Sequence, residues 1–387
     1  MAAVEEKLGN CTLERLRRRR SFKWTTFPPD VLPAFVAEMD FDLAEPVKEA
    51  IVAAVGLDDL GYANAIGLAE AYAGFATDRF GWGPDPSRVV AIPDVMTGIA
   101  EVMLALTPPG SGVAITPPVY PPFFFRLGFV GRRVVEAPLS FDGRRYELDL
   151  EVIGRALTSA DVGCLLLCNP HNPLGRQWAA ADLAGVADLC ARHGVVLLVD
   201  EIHGPLELPG GDRHVPFLSL GHEVDEATIT FSSASKGWNV PGLKCGLAIA
   251  GSAPLASMLK ERWEALIPSH LGVLASTAAF AEGTPWLDAA ISQIDENRRL
   301  LATLLADRLP EIGYSAPAAS FLAWLDCRRL GLGDDPSQRF LEGGRVALSP
   351  GPHFGKQGKG FARLNIGTSP ELLAEAVRRM AVAVRPG

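Results

Sequence analysis

The chain has 387 residues, of which 48% are hydrophobic and 21% charged, a composition typical of a globular protein with two or three domain-sized units. Its formal net charge of -9 argues against general nucleic-acid binding. The basic run at residues 15–20 is interpreted as a solvated N-terminal arm, with contact to an anionic partner as the alternative. Neither a signal-peptide pattern nor an apolar run of about 18 residues occurs, so we expect a cytoplasmic protein without membrane contact.

Cysteine and histidine usage gives no sign of a disulfide or a metal. The six cysteines lack CxxC spacing, and several lie in apolar segments, so we expect reduced, buried thiols. The seven histidines show neither an HExxH motif nor any grouping with Cys at ligand spacing. We therefore expect no metal site.

In chain order, short apolar runs alternate with segments of helical periodicity. Six runs are predicted as strands, at residues 89–92, 112–116, 164–168, 195–199, 228–232 and 246–250. Residues 179–194 between two of them form an amphipathic helix pattern that ends at Gly194. Continuous apolar strands separated by helices predict an α/β fold with an open, mostly parallel sheet. From about residue 285 longer helical patterns predict a smaller α+β lobe.

Polar motifs follow three of the predicted strands: NPHNPLG after 164–168, DEIH after 195–199 and SASK after 228–232. Open α/β sheets bind ligands at this end of their strands. A buried Asp200 requires a cationic partner, and a desolvated Lys236 has a lowered pKa and reacts as an amine with carbonyl groups. Taken singly, Asp200 could be a structural acid and Lys236 a surface lysine. Together they indicate pyridoxal phosphate chemistry.

The ordered set of motifs extends this interpretation over almost the whole chain: KWTTF, FVAEMDF, PPVYPPF, NPHNPLGR, DEIH, SASKGWNVPGLKCG, SFLAWLD, PGPHFGKQGKGF and ARLNIG. With these motifs the chain resembles fold-type I, pyridoxal-phosphate-dependent enzymes of aminotransferase class I/II, in the MalY/PatB-like branch of cystathionine β-lyases and cysteine-conjugate C–S lyases. The resemblance implies a large domain whose mostly parallel sheet has helices on both faces, and a smaller α+β domain. It places the N-terminal arm and part of the small domain at 1–47, the large cofactor-binding domain at 48–284 and the C-terminal small domain at 285–387.

The resemblance also implies roles around the cofactor ring. Lys236 binds the cofactor covalently and, once the substrate displaces it, removes the Cα proton. Asp200 keeps the pyridine nitrogen protonated, Asn172 donates to the ring O3′, and His203 approaches O3′ where many aminotransferases have tyrosine. Tyr120 stacks on the ring face and counts among the catalytic and substrate-binding residues. The alternatives are a packed histidine behind the site for His203 and a core aromatic for Tyr120.

For the cofactor phosphate, the resemblance implies main-chain amides at a helix start and nearby polar side chains, namely Val95, Met96, Ser233, Ser235 and Lys244. Asp94 departs from the family pattern, which has glycine there, and puts an anion close to the phosphate. Lys244 stands where many relatives have arginine.

Two further residues extend the expected site. The resemblance implies that Tyr62 reaches the cofactor phosphate of a neighbouring subunit, so we expect a homodimer with shared active sites; packing under its own helix is the alternative. Arg363 is expected to bind the substrate α-carboxylate, with Asn172 and Tyr120 beside the substrate, and a surface arginine is the alternative.

The resemblance implies α,β-elimination from cystathionine or another S-substituted L-cysteine, which gives a thiol, pyruvate and ammonia. Transamination shares every step up to the Cα carbanion, so an aminotransferase remains an alternative. So do a specialised enzyme that decarboxylates and deaminates a cysteine conjugate in a secondary pathway, and a non-enzymatic regulator that retains the pocket.

Overall fold

The computed structural model describes residues 8–9, 11–159, 161–262 and 266–385. Residues 1–7 and 10 of the predicted arm lie outside the described residues, as do residues 160, 263–265 and 386–387 of the two predicted domains. In chain order the strands are β1 (Leu32–Pro33), β2 (Val89–Ile92), β3 (Gly112–Ile115), β4 (Arg133–Glu136), β5 (Ser140–Phe141), β6 (Tyr146–Glu147), β7 (Val162–Cys168), β8 (Val196–Asp200), β9 (Thr228–Ser232), β10 (Gly246–Ala250), β11 (Gly313–Tyr314), β12 (Leu322–Asp326), β13 (Val346–Ala347), β14 (Ser349–Pro350) and β15 (Phe361–Asn365). The α-helices span Leu13–Leu16, Phe22–Thr25, Glu45–Gly56, Leu68–Phe80, Val95–Leu106, Pro122–Phe129, Leu150–Leu157, Ala180–His193, Ala234–Gly237, Ala253–Arg262, His270–Glu282, Thr284–Arg308, Pro336–Gly344 and Pro370–Val384.

A seven-stranded sheet forms the centre of the larger lobe, in the order β2-β10-β9-β8-β7-β3-β4. The pairs from β9 to β4 are parallel, whereas β10 is antiparallel to both of its neighbours. The predicted α/β class with a mostly parallel sheet is therefore confirmed. The six apolar runs form six of these strands, and the seventh, β4, is a half-exposed edge strand that lacks a continuous apolar run.

Both faces of the central sheet are covered. In β7, Cys164 and Leu166 belong to one hydrophobic cluster, and Leu165 and Leu167 belong to another. Because successive side chains of a strand point to opposite faces, this alternation places helices on both sides. One cluster includes the helix Ala180–His193 and the other the helix Val95–Leu106. The former helix ends at Gly194, whose φ of 63° is the left-handed conformation predicted for this stop.

The smaller lobe contains an antiparallel sheet of four strands in the order β11-β12-β15-β14. The long helix Thr284–Arg308 packs against the helix Pro370–Val384 in this lobe. The N-terminal segment joins it through the parallel pair β1 and β13. We propose the division into residues 1–47, 48–284 and 285–387, which this pairing supports; the long helix begins one residue before the last boundary.

Three further observations concern the expectations from composition. All six cysteines are free thiols, five of them buried. Over the described ranges, no three His, Cys, Asp or Glu side chains are grouped so that they could hold a metal ion. Within the same ranges no helix is long and apolar enough to cross a membrane.

Candidate active site

A cavity of about 470 Å³ opens at the carboxyl ends of the central strands. It is lined by ten of the residues predicted from sequence, namely Val95, Met96, Tyr120, Asn172, Asp200, His203, Ser233, Ser235, Lys236 and Lys244. Another cavity, of about 600 Å³, lies beside β5, β6 and β11 and contains none of them. The ten residues come from segments far apart in sequence, so their convergence identifies the first cavity as the candidate site.

Lys236 lies on the short helix Ala234–Gly237, which follows β9 directly. Its Nζ donates a hydrogen bond to the main-chain oxygen of Ala37 at 2.8 Å. Burial lowers the pKa of Lys236 to about 8, and the nearby Arg363 acts in the same direction, while Asp200 opposes them. The uncharged form of this amine, which a nucleophile or base requires, is therefore far more populated near neutral pH than in an ordinary lysine.

Asp200 is the last residue of β8 and is 4% exposed. Its Oδ1 accepts a hydrogen bond from the main-chain N–H of Ile202 at 3.1 Å. Burial raises the pKa of Asp200 to about 6, and the Ile202 amide and Lys236 partly offset this effect. A cation placed against this carboxyl group would favour its charged form.

The helix Val95–Leu106 begins at the cavity. Asp94 caps it, because Oδ1 accepts from the Thr97 amide at 2.9 Å while Oδ2 lies 3.2 Å from Lys244 Nζ. Asp94, which departs from the glycine that the resemblance implies, thus has both a capping role and a cationic partner. The amides of Val95 and Met96 take part in none of the hydrogen bonds found among the described residues. They and Lys244 can therefore receive an anion such as a phosphate.

Two serines complete this end of the cavity. Ser233 Oγ donates to the main-chain oxygen of Cys245 at 2.6 Å and accepts from the Ser235 amide at 3.0 Å. Lys244 has a φ of 53°, in the left-handed region that non-glycine residues rarely adopt. This conformation occurs where Lys244 turns toward Asp94 at the cavity edge.

His203 and Tyr120 line the part of the cavity that contains Asp200. The Nδ1 atom of His203 is 3.0 Å from Ser320 Oγ, and burial first, then Lys236 and Arg363, lower the pKa of His203 to about 3. The ring is therefore neutral. If Ser320 donates to Nδ1, Nε2 carries the ring proton and can donate into the cavity. Burial raises the pKa of Tyr120 to about 12, so its hydroxyl stays protonated.

Arg363 lies on β15 and is 6% exposed. Nη1 donates to Asn172 Oδ1 at 2.9 Å, and Nη2 donates to the main-chain oxygen of Phe35 at 2.9 Å and to Ser349 Oγ at 3.0 Å. The guanidinium also stacks over the ring of Phe354 at 5.0 Å. Its Nε is buried without a hydrogen-bond partner among the described residues. The group is thus fixed next to Asn172, which lines the cavity.

Residues 34–40 form an active-site strip between the two lobes. Asn239, shortly after Lys236, exchanges two hydrogen bonds with the main chain of Met39, at 2.7 and 2.8 Å. From the small sheet, Asn365 Nδ2 donates to two carbonyl oxygens of the strip at 2.8 and 2.7 Å. The strip also receives the hydrogen bonds from Lys236 and Arg363. Both lobes therefore hold it in place.

Two predicted site residues do not line this cavity: Arg363, which touches it only through Asn172, and Tyr62. Tyr62 is 93% exposed and contributes nothing to the cavity lining of its own chain. Sequence reasoning located most of the active-site strip and Ser320 within the motifs FVAEMDF and SFLAWLD but assigned them no contact in the site, and it missed Ser349. A contact made by a main-chain carbonyl leaves no signature in residue type. In the structure Ser320 has a φ of 70°, which non-glycine residues rarely adopt. This conformation could not be read from the residue type.

Comparison with known proteins supports the predicted relationship. The family model described as "Aminotransferase class I and II" matches residues 39–380. The chain is 43% identical to a putative cystathionine β-lyase of Mycobacterium leprae, over 97% of this chain and 98% of that one. It is 34% identical to the cystathionine β-lyase PatB of Bacillus subtilis, over 98% of each. A crystal structure of a putative PLP-dependent β-cystathionase from Corynebacterium diphtheriae superimposes with a TM-score of 0.90, at 34% identity and 98% coverage of both chains.

Proposed function

Because the chain belongs to the aminotransferase class I and II family, in its MalY/PatB-like branch, we propose that it is a pyridoxal-phosphate-dependent carbon–sulfur lyase. Its substrate is cystathionine or another S-substituted L-cysteine, and its products are a thiol, pyruvate and ammonia. The observation that carries the proposal is the convergence of Lys236, Asp200 and an open helix start on one cavity. The names of the relatives place that chemistry among C–S lyases.

The donor set of the cavity fits the cofactor. The amides of Val95 and Met96, together with Lys244 and Ser233, would hold the phosphate, and Asp200 would face the ring nitrogen. Asn172 accepts from Arg363 through Oδ1, which leaves its Nδ2 to donate to the ring oxygen. His203 Nε2 and the ring of Tyr120 complete this set.

Bound pyridoxal phosphate supplies an aldehyde for covalent attachment and a protonated ring that withdraws electrons from the substrate Cα. Arg363 binds the α-carboxylate and so orients the Cα–H bond. Lys236, with its pKa lowered by burial, accepts the Cα proton. The Cβ–S bond then breaks and the thiolate leaves with the bonding electron pair. Water hydrolyses the remaining three-carbon fragment to pyruvate and ammonia.

The main test separates elimination from transamination. An arginine–pyruvate transaminase of Pseudomonas aeruginosa is 28% identical to the chain, so an aminotransferase is the second candidate. The purified protein is incubated with cystathionine, and pyruvate, ammonia and free thiol are assayed with and without an added keto acid. We expect all three products in equal amounts without a keto acid. Turnover only in its presence would overturn the lyase proposal.

We also propose a homodimer in which Tyr62 serves the partner's phosphate site. Its support is a group of exposed apolar side chains close to Tyr62 in sequence: Val55, Leu57, Leu60 and Ile66 are 52 to 80% exposed. Such a cluster is unusual on a monomer and is typical of an interface. Phe125 and Phe129, at 58% and 82% exposure, extend apolar surface to the cavity rim. The cytoplasmic location stays a prediction from the sequence.

A further inference from the structure

A third cavity, of about 680 Å³, adjoins the cofactor cavity. Ala37, Lys236 and Pro241 line both of them, so the reactive amine lies on their common boundary. The volume falls in the range of about 300–1,000 Å³ typical of small-molecule sites. We call it the distal chamber.

The distal chamber is placed to receive the departing part of a thioether substrate. Lys236 would act at Cα, and the sulfur is bonded to the adjacent Cβ. With pyridoxal phosphate held by the residues around Asp200 and the helix start, the distal chamber would be the space left for the group beyond sulfur on the other side of Lys236. The side chains of Phe22, Phe41 and Leu43 line that space and suit an alkyl thioether.

The charged residues of the distal chamber differ in whether their side chains already contact other residues of the protein. Arg19 donates to the main-chain oxygen of Phe41 at 3.1 Å and contacts Asp42 at 3.4 Å. Glu38 accepts from Ser21 Oγ at 2.5 Å. Arg20 has neither a side-chain hydrogen bond nor an ion pair with any described residue. It is therefore the cation available to a ligand.

We propose that the distal chamber selects S-substituted cysteines whose departing thiol ends in a carboxylate, and that Arg20 binds this carboxylate. The inference rests on the proposed lyase function and names the substrate class of that site. Arg19 also lines the distal chamber, but its guanidinium is already engaged by Asp42 and by the Phe41 carbonyl. Arg20 is exposed, which agrees with a solvated N-terminal arm, and its binding of a substrate carboxylate would be the alternative contact of this basic run with an anion.

The test uses three cysteine thioethers of similar length: S-carboxyethyl-L-cysteine, S-propyl-L-cysteine and S-aminoethyl-L-cysteine. They differ in the charge of the departing group, so their kcat/KM ratios isolate its recognition. We expect the holoenzyme to prefer the carboxyethyl substrate. Arg20→Gln should lower kcat/KM for that substrate about fivefold, the scale of a partly exposed ion pair, and leave the other two within error. Arg20→Glu should reverse the preference in favour of the aminoethyl substrate.

The matched control is Arg18→Gln, which removes an exposed arginine that does not line the distal chamber. It should leave all three ratios unchanged. Unchanged ratios in both Arg20 variants, with turnover intact, would overturn the inference while the lyase function stands. No turnover of any of the three by protein with bound pyridoxal phosphate would overturn the lyase function and the inference with it. The preference of the wild type should also weaken as ionic strength rises.

Discussion

Replacing Arg363 tests how the site recognises an amino acid. The guanidinium is buried and held by three acceptors, so Arg363→Met removes the charge from a site that water does not readily enter. Truncating one member of such a charge pair costs about 2–5 kcal/mol of binding. That range corresponds to roughly 30-fold to several thousand-fold in affinity. Because the contact is made already in the ground state, most of the loss should appear in KM and little in kcat.

Arg363→Lys should lose nearly as much affinity for the substrate, because a point charge cannot reproduce the planar set of donors. Ser349→Ala is the matched control. It removes one of the three acceptors and no charge, so we expect the substrate to lose only about 0.5–1.5 kcal/mol of binding free energy. Steady-state kinetics should compare an S-substituted cysteine with the amine that lacks its carboxylate, and absorbance should verify that the cofactor is bound. If the preference for the carboxylate survives in Arg363→Met, another cation binds it and the reasoning is refuted.

Four further predictions concern the cofactor and the assembly. Borohydride should fix pyridoxal phosphate to Lys236, and Lys236→Ala should abolish turnover; a label on another lysine would contradict the assignment. The Lys236 amine has a pKa of about 8 and is mostly neutral at higher pH. The rate of cofactor attachment to the apoprotein should therefore rise with pH and level off above about pH 8. A rise that continues beyond pH 10 would indicate a lysine with an ordinary pKa. Asp94→Asn keeps the helix cap, removes the anion and frees Lys244, so the dissociation constant of pyridoxal phosphate should fall about fivefold. Asp94→Ala removes the cap as well, so the free energy of unfolding should fall by about 1 kcal/mol. Mixed Lys236→Ala and Tyr62→Ala subunits should regain activity through hybrid dimers, and a fully active monomer in sedimentation would contradict the shared site.

Much of the fold could be predicted because the central strands are buried on both faces. Burial of this kind leaves continuous apolar runs, and the runs at 89–92, 228–232 and 246–250 match strands β2, β9 and β10 residue for residue. The edge strand β4 and the two-residue strands of the smaller lobe have no such run, so periodicity could not identify them. The antiparallel direction of β10 likewise could not be predicted from the sequence, because a buried strand has the same composition in either direction.

The candidate site could be predicted where its residues follow strand ends, since topology brings those ends together. The family, the pyridoxal phosphate dependence and the C–S lyase class all agree with the comparisons. The individual roles of the site residues stay predictions. The distal chamber could not be foreseen, because Arg20 and Lys236 come to line one cavity only in the folded chain. In sequence Arg20 belongs to a basic run like many that remain in solvent.

The active-site strip gives the reactive amine and the carboxylate-binding guanidinium a common support. Lys236 hydrogen-bonds to the carbonyl of Ala37, and Arg363 to that of Phe35, two residues earlier on the same main chain. The same short stretch of main chain therefore holds both side chains in position, although Lys236 lies in the larger lobe and Arg363 in the smaller one. Efforts to alter substrate range by substituting residues 34–40 will change recognition and proton transfer together. A variant with improved binding but unimpaired turnover is better sought at those residues of the distal chamber that lie outside the strip, such as Arg20 and Phe22.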